Sequence, residues 1–456
     1  MALGLSVAIF GPVMLDLRYL LNVSIEMISL CMTFTFIGYM MGTLSGLLYN
    51  YLNRQLTISI LFILTGLSSA AIPVSPNLYI VYLCFWMCGV SGGVWNSTIN
   101  VWIIEMWTNR SASVLQFIQF GYGFGTILSP LILRPFLRGG QGGHGGGGGV
   151  GLVVNETMNV TNFTVYSNLT DITDNSDNDR VGNLWKPFVI IGCIQLISPI
   201  ALLIMFLVKR YESPLTVATK SHNKSDRPID SSTVSCNTTT TTTTTDVKLF
   251  DLEAAPRRLA ILLLSLLLAA YTLIEFTLFD FGATYLQYTQ AGITAPVAAQ
   301  IMSTVSLAYT IGRAASVLVS LKLMPQYMIV GHISLLYLSL GVIQMYGQYS
   351  QPVLWTAFVC LGYGLSALFP AMFAYFEQYI QITNPMGTSA ALMCGLANLF
   401  NPYILGLLIE RHSYVVILFE VFYVTLYYDI QGYCLEMFVK YLDLYRPDSP
   451  DSWPHL

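Results

Sequence analysis

Charge is what this chain most conspicuously lacks. Only 10% of its 456 residues are Asp, Glu, Lys or Arg, while 54% are hydrophobic; an ordinary globular domain carries about 25% charged residues. So few charges cannot solvate the surface of a water-soluble protein of this length, which makes lipid the solvent for most of the chain. The net charge of −4 is small and carries no signal for a nucleic-acid partner. Cysteine pairs are missing too: Cys31, Cys84, Cys88, Cys193, Cys360 and Cys394 lie singly in apolar runs, Cys236 and Cys434 outside them or at their ends, and no CxxC or disulfide ladder appears. The histidines are far apart, so neither a metal site nor a cofactor is expected. No charged segment precedes the first apolar run, and residues 1–15 therefore read as a membrane helix rather than a cleaved signal. No Gly-rich phosphate loop is present, which leaves gradients as the energy source for any work done. A membrane enzyme would need His/Asp or Cys/His groups clustered at one membrane face, and the sequence offers none.

What the chain has instead is long apolar runs. A membrane span needs about 20 mostly apolar residues, and twelve candidates meet this: 1–20, 26–50, 56–73, 78–103, 112–134, 185–208, 258–281, 296–321, 326–347, 352–376, 386–409 and 413–433. They fall into an N-terminal six-helix half (1–208) and a C-terminal one (258–433). Between them lies 209–257, polar, low in complexity and ending near the run Thr238–Thr245, expected to be a disordered linker. A tail, 434–456, follows; Glu436, Lys440 and Asp443 share one helical face there, as on an interfacial helix.

Sidedness follows from charge and sequons. With the N-terminus inside, Arg54, Arg110, the basic residues of 209–258, Lys322, Lys440 and Arg446 lie inside, against Arg18, Arg134, Arg138, Arg180, Lys186 and Arg411 outside. The loop 139–184 carries Asn-x-Thr triplets at Asn155, Asn159, Asn162 and Asn168, and glycosylation acceptors face the lumen or exterior. The expectation is an extracellular glycosylated loop, cytoplasmic termini and a multi-pass protein of the plasma membrane.

Two halves of six spans outline an all-α membrane protein of the major facilitator type, with pseudo-symmetric halves and a solute site between them. Internal echoes agree. Gly38, Gly42 and Gly46 recur every four residues in span two, and Gly312, Ser316 and Ser320 do so in span eight; Gly123 precedes Pro130 by seven residues in span five, as Gly395 precedes Pro402 in span eleven.

Ionisable groups inside spans are expensive and mark function by default. Asp16 and Glu275, both late in outward-running spans, are expected at pseudo-equivalent places in the outer half as ion-coupling acids, with Glu275 also touching solute. The alternative is that each merely ends its helix, the preferred reading for Asp280. Asn96, Asn100, Gln116, Gln119 and Tyr122 in spans four and five, with Trp95 and Trp102 nearby, are the vocabulary of a hydroxyl-rich neutral ligand: amides donate and accept, and aromatic faces cover C–H groups. Interhelical hydrogen bonding by the same amides is the competing reading. Arg313 is expected to be structural, pairing with an acid near the cytoplasmic gate such as Glu377. Glu420 has no evident partner.

The segments "GLSVAIFGPVMLDLR" (4–18), "GYGFGTILSPLILRPFL" (121–137), "IEFTLFDFGATY" (274–285), "IGRAASVLVS" (311–320) and "LGYGLSALFPAMFAYFE" (361–377) together resemble the sodium-dependent glucose transporter / major facilitator superfamily domain-containing protein 4 family, and more distantly the fucose–proton symporter branch. The likeness covers most of 2–137 and 185–412 and fades after His412. It implies a transporter of a sugar or similar neutral polar solute by alternating access, with Na+ or H+ as the coupling ion where there is coupling. In the resemblance Asp16 and Glu275 match the family's acids in spans one and seven, Asn100 an Asn that follows its span-four acid, and Gln116 a span-five Gln. Asn96 stands where the family has that span-four acid and can neither titrate nor carry charge, which brings uniport forward. A non-transporting sensor or scaffold on the same fold is the alternative function.

Overall fold

The computed structural model describes residues 1–44, 53–75, 77–106, 111–137, 183–208, 254–320, 322–347, 349–377, 384–409, 411–412 and 415–444. The four sequons, the linker up to residue 253 and the end of the tail lie outside the described residues. So do the side chains of Asn100, Gln116, Gln119 and Glu377, although their backbones are helical.

Among the described residues the chain is helical throughout. In order the helices are α1 (Ala2–Val7), α2 (Phe10–Leu21), α3 (Ile25–Leu44), α4 (Arg54–Ala71), α5 (Leu78–Met106), α6 (Ser111–Leu133) and α7 (Trp185–Val208). After the linker come α8 (Ala254–Tyr288), α9 (Ala295–Ser320), α10 (Pro325–Val342), α11 (Gln351–Ser366), α12 (Leu368–Glu377), α13 (Asn384–Ile409) and α14 (Val415–Leu444). Ten helical stretches among the described residues are long and apolar enough to cross a membrane. The other two spans are the first, broken into α1 and α2, and α6, whose Gln116, Gln119 and glycines dilute its hydropathy.

Both broken spans have the same cause. Pro12 lacks the N–H that would bond the Ala8 carbonyl, and the helix stops at Ala8. Pro370 likewise frees the Ser366 carbonyl, and α11 ends there, with Ala367 separating it from α12. At the far end, α14 runs unbroken to Leu444, so the last span carries on through the first part of what the charge pattern marked as a separate tail. Asp280 is a correction of another kind. It lies inside α8, 2% exposed, and not at a helix end, because α8 continues two turns beyond the point where the apolar run stops.

Within each half the small-residue stripes do the same job. A Cβ on Gly38 or Gly42 of α3 would overlap backbone carbonyls of Trp86 and Val90 on α5, and one on Gly312 of α9 would overlap the Ser366 side chain on α11. Spans two and four of the first half (α3 and α5), and eight and ten of the second (α9 and α11), thus approach closely at matching places. Between the halves, α3 packs on α13, α6 on α9 and α2 on α8. Advancing each span by six turns the first two contacts into one another and the third into itself, as a two-fold axis between the halves requires.

Along the α2–α8 seam the contacts climb in register. Gly11 lies against the Phe279 carbonyl, Thr284 Oγ1 donates to Met14 Sδ at 3.5 Å, and Arg18 Nη1 donates to Tyr288 Oη at 3.4 Å. On α3 and α13, Gly406 meets Ser29 near the same end of the bundle. The halves are therefore in contact at the end marked by Arg18 and Tyr288.

Candidate functional site

Helix periodicity builds the centre of the site. On α8, Tyr271, Glu275 and Phe279 recur every four residues and face α9; on α9, Tyr309 and Arg313 are four apart and face back. The Tyr309 hydroxyl donates to Glu275 Oε1 and accepts from Arg313 Nη2. Arg313 Nη2 lies 3.9 Å from Glu275 Oε1, and its guanidinium carbon is 4.4 Å from the Tyr309 ring centroid. Tyr271 Oη is 3.0 Å from Tyr309 Oη, and Phe279 closes the end of the cluster with its ring edge-on to Tyr309 at 5.6 Å. A carboxylate and a guanidinium held through one hydroxyl are neutral as a unit, which makes them tolerable in the middle of a bundle. Both side chains stay partly open, Arg313 22% and Glu275 17% exposed.

The N-terminal half supplies the facing groups. Tyr39 on α3 and Tyr122 on α6 both lie in electrostatic range of Glu275, and Tyr122 also of Arg313 and Asp280. Asn96, exposed on α5, donates Nδ2 to Tyr39 Oη at 2.6 Å. From α13, Asn398 donates to Thr272 Oγ1 at 3.0 Å and to the Cys394 carbonyl at 2.9 Å. Its Oδ1 is buried without a partner. The half-buried Cys394 thiol lies in range of Glu275.

The sequence-predicted residues therefore divide. Glu275, Arg313, Tyr122 and Asn96 border one region between the halves. Arg313 lies 3.9 Å from the acid Glu275; the expected pairing with Glu377 falls on a side chain outside the described residues. Asp16 is buried, 4% exposed, but is not beside Glu275. The register of Gly11 with Phe279 and Arg18 with Tyr288 puts Asp16 level with residues 284–286, roughly 15 Å further along at 1.5 Å per residue. The two acids are thus not equivalent in depth as the span counting suggested. The backbones of Asn100, Gln116 and Gln119 lie on α5 and α6, with their side chains outside the description. Tyr39, Tyr271, Tyr309, Asn398 and Cys394 were missed. For Tyr271 and Tyr309 a signal existed: each stands four residues before the charged partner on its own helix.

This arrangement sits on the major facilitator fold, the architecture of a large class of membrane transporters. A D-xylose–proton symporter superposes with a TM-score of 0.63 over 94% of both chains at 14% identity, and a bacterial homologue of the human lysosomal transporter Spinster with 0.61 over 96% of both at 12% identity. In sequence, the mouse sodium-dependent glucose transporter 1A is 28% identical over 135 residues, 29% of this chain and 32% of that protein. Major facilitator superfamily domain-containing protein 4A of Pongo abelii is 32% identical over 146 residues, 29% of this chain and 26% of that protein. The chain spans about a third or less of the length of these curated relatives. No family model matches. The chain thus has the major facilitator fold and, over about 29% of its length, is a partial homologue of the sodium-dependent glucose transporter and of major facilitator superfamily domain-containing protein 4A.

Proposed function

We propose that the protein transports a sugar or a similar neutral polar solute by alternating access, with the solute bound between the halves against Glu275, Arg313, Tyr122 and Asn96. The observation that carries this is the Glu275–Tyr309–Arg313 cluster. It is a charge-balanced polar group at the seam of two helical halves, partly open, and faced by an amide and phenols from the other half. Such groups donate and accept hydrogen bonds with hydroxyls while offering aromatic faces to C–H surfaces. The similarity to a sodium-dependent glucose transporter and to a xylose symporter supports a sugar as the solute class.

Glu275 is the coupling acid in this reading, and Asn100, Gln116 and Gln119 extend the solute surface along α5 and α6. Asp16 serves at the closing end and not in the solute site. Asn96 cannot exchange a proton, so proton coupling at the solute site runs through Glu275. The N-terminus is cytoplasmic and the loop 139–184 extracellular, so that the Arg18–Tyr288 end is the outer gate, closed in this conformation, in a plasma-membrane protein.

The test is uptake of labelled glucose and fucose into vesicles holding the purified protein, with and without a sodium or proton gradient, alongside Glu275→Gln. Gradient-driven accumulation lost in Glu275→Gln establishes symport. Equilibration indifferent to gradients establishes uniport. No uptake above protein-free vesicles by folded protein rejects the reading.

A further inference from the structure

Helix α14 is built inside out. Its lipid-facing side carries Leu418, Phe422, Tyr428 and Tyr433, all 45% exposed or more. Its interior side carries Glu420, Tyr423, Tyr427 and Gln431, spaced by three, four and four residues and therefore on one face. Glu420 is 3%, Tyr423 6% and Tyr427 0% exposed. A helix with only packing to do would bury small or apolar groups there.

The hydrogen bonds along this face are incomplete. Tyr423 Oη donates to Asn401 Oδ1 at 2.5 Å, and Asn401 Nδ2 donates to Thr277 Oγ1 at 3.0 Å, a tie that joins α14, α13 and α8. Glu420 Oε1, Tyr427 Oη and Gln431 Oε1, in contrast, are buried with no partner. Three buried orphans on one face, spread over about 16 Å of helix, are what internal water satisfies. Tyr427 also lies in electrostatic range of Tyr271, which pairs with Tyr309 and so with Glu275, and the face approaches the central cluster there.

We infer that this face of α14 is a water-bearing polar file and that Glu420 is a proton-exchanging carboxylate, a second one separate from Glu275. α14 packs against α8, α10 and α13. The ionisable groups those helices carry in their membrane-spanning parts are Arg258, Tyr271, Glu275, Asp280, Tyr285 and Tyr288 on α8, Tyr327, His332 and Tyr337 on α10, and Cys394 and Tyr403 on α13. No Lys or Arg among the described residues forms an ion pair with Glu420. A proton leaving the carboxyl O–H must therefore pass to water, leaving the carboxylate behind, and a proton returning re-forms the O–H from the same water. The file provides that water. Its use in coupling rests on the transport reading; its existence does not.

Two measurements on the full chain in lipid nanodiscs test this without any solute. In radiolytic hydroxyl-radical footprinting, Tyr427 is expected to be modified several-fold more than Tyr285, which is 4% exposed and stacked on Phe358 at 6.2 Å. Equal protection of both tyrosines overturns the file. In infrared titration, the difference between wild type and Glu420→Gln is expected to convert from a carboxylic acid band to carboxylate bands within the pH range of the folded protein. A difference fixed in one form across that range overturns the proton exchange. Should Glu420→Gln not fold, site-specific carbon-13 labelling of wild-type Glu420 gives the same reading. Absence of solute uptake would sink the transport proposal and leave both results standing.

Discussion

Tyr309 stands between Glu275 and Arg313, donating its hydroxyl to the carboxylate while accepting from the guanidinium. The two charges are 3.9 Å apart, beyond a good direct hydrogen bond, so the phenol completes the pair. Tyr309→Phe keeps the ring against Phe279 and removes only that bridge. A hydrogen bond to a charged group is worth about 1.5–3 kcal/mol, and solute affinity is expected to fall about tenfold to a hundredfold with the fold retained. Unchanged affinity in a direct binding assay would remove the bridge from the site.

Closure at the Arg18–Tyr288 end depends on Gly11. Its missing side chain lets the Phe279 carbonyl of α8 sit where a Cβ would be. Gly11→Val is expected to hold α2 and α8 apart and to open that end. A cysteine placed at Thr284, buried at the seam, should then react with an impermeant thiol reagent several-fold faster than in the Gly11 background. Equal rates would show that the seam closes by other contacts.

Asn401 ties three helices through Thr277 and Tyr423. Asn401→Ala leaves a buried hydroxyl on each neighbour short of a partner, and interhelical hydrogen bonds in membranes contribute about 0.6 kcal/mol on average and up to about 1.7. A loss of about 1–2 kcal/mol is expected, read as a lower melting temperature in detergent. A variant as stable as wild type would mean that water replaces the amide.

The fold was legible because it rests on composition and run length, which survive any detail of packing. The two helix breaks were only partly legible: Pro12 and Pro370 each delete one specific backbone bond, but Pro130, Pro199 and Pro402 do so inside helices that stay unbroken. The centre of the site was only half legible. The pairs Tyr271/Glu275 and Tyr309/Arg313 each lie four apart on their own helix, but nothing in the sequence says that these two faces meet. Counting residues from span ends put Asp16 level with Glu275. That error comes from helix lengths: α8 extends beyond its apolar run, and the first span is interrupted. The polar face that Glu420 shares was hidden for a different reason, since the partners of its neighbour Tyr423, Asn401 and through it Thr277, belong to distant helices.

Cys394 offers a direct view of occupancy. Its thiol is half-buried one turn before Asn398 and lies in range of Glu275, so solute bound against that carboxylate should cover it. Labelling by a small permeant maleimide is expected to slow in saturating glucose or fucose, with Cys394→Ser as the blank and the exposed Cys193 as the internal control. Protection of Cys394 alone would report a filled central site, because Cys193 lies on α7, far in sequence from the seam helices α8, α9 and α13. Equal slowing at both residues would instead be a general effect of the sugar on the reagent, and no slowing would leave the solute elsewhere. The same experiment repeated in Glu275→Gln separates contact from proximity. If Glu275 holds the solute, protection disappears at concentrations that protect wild type; if it only lies nearby, protection persists.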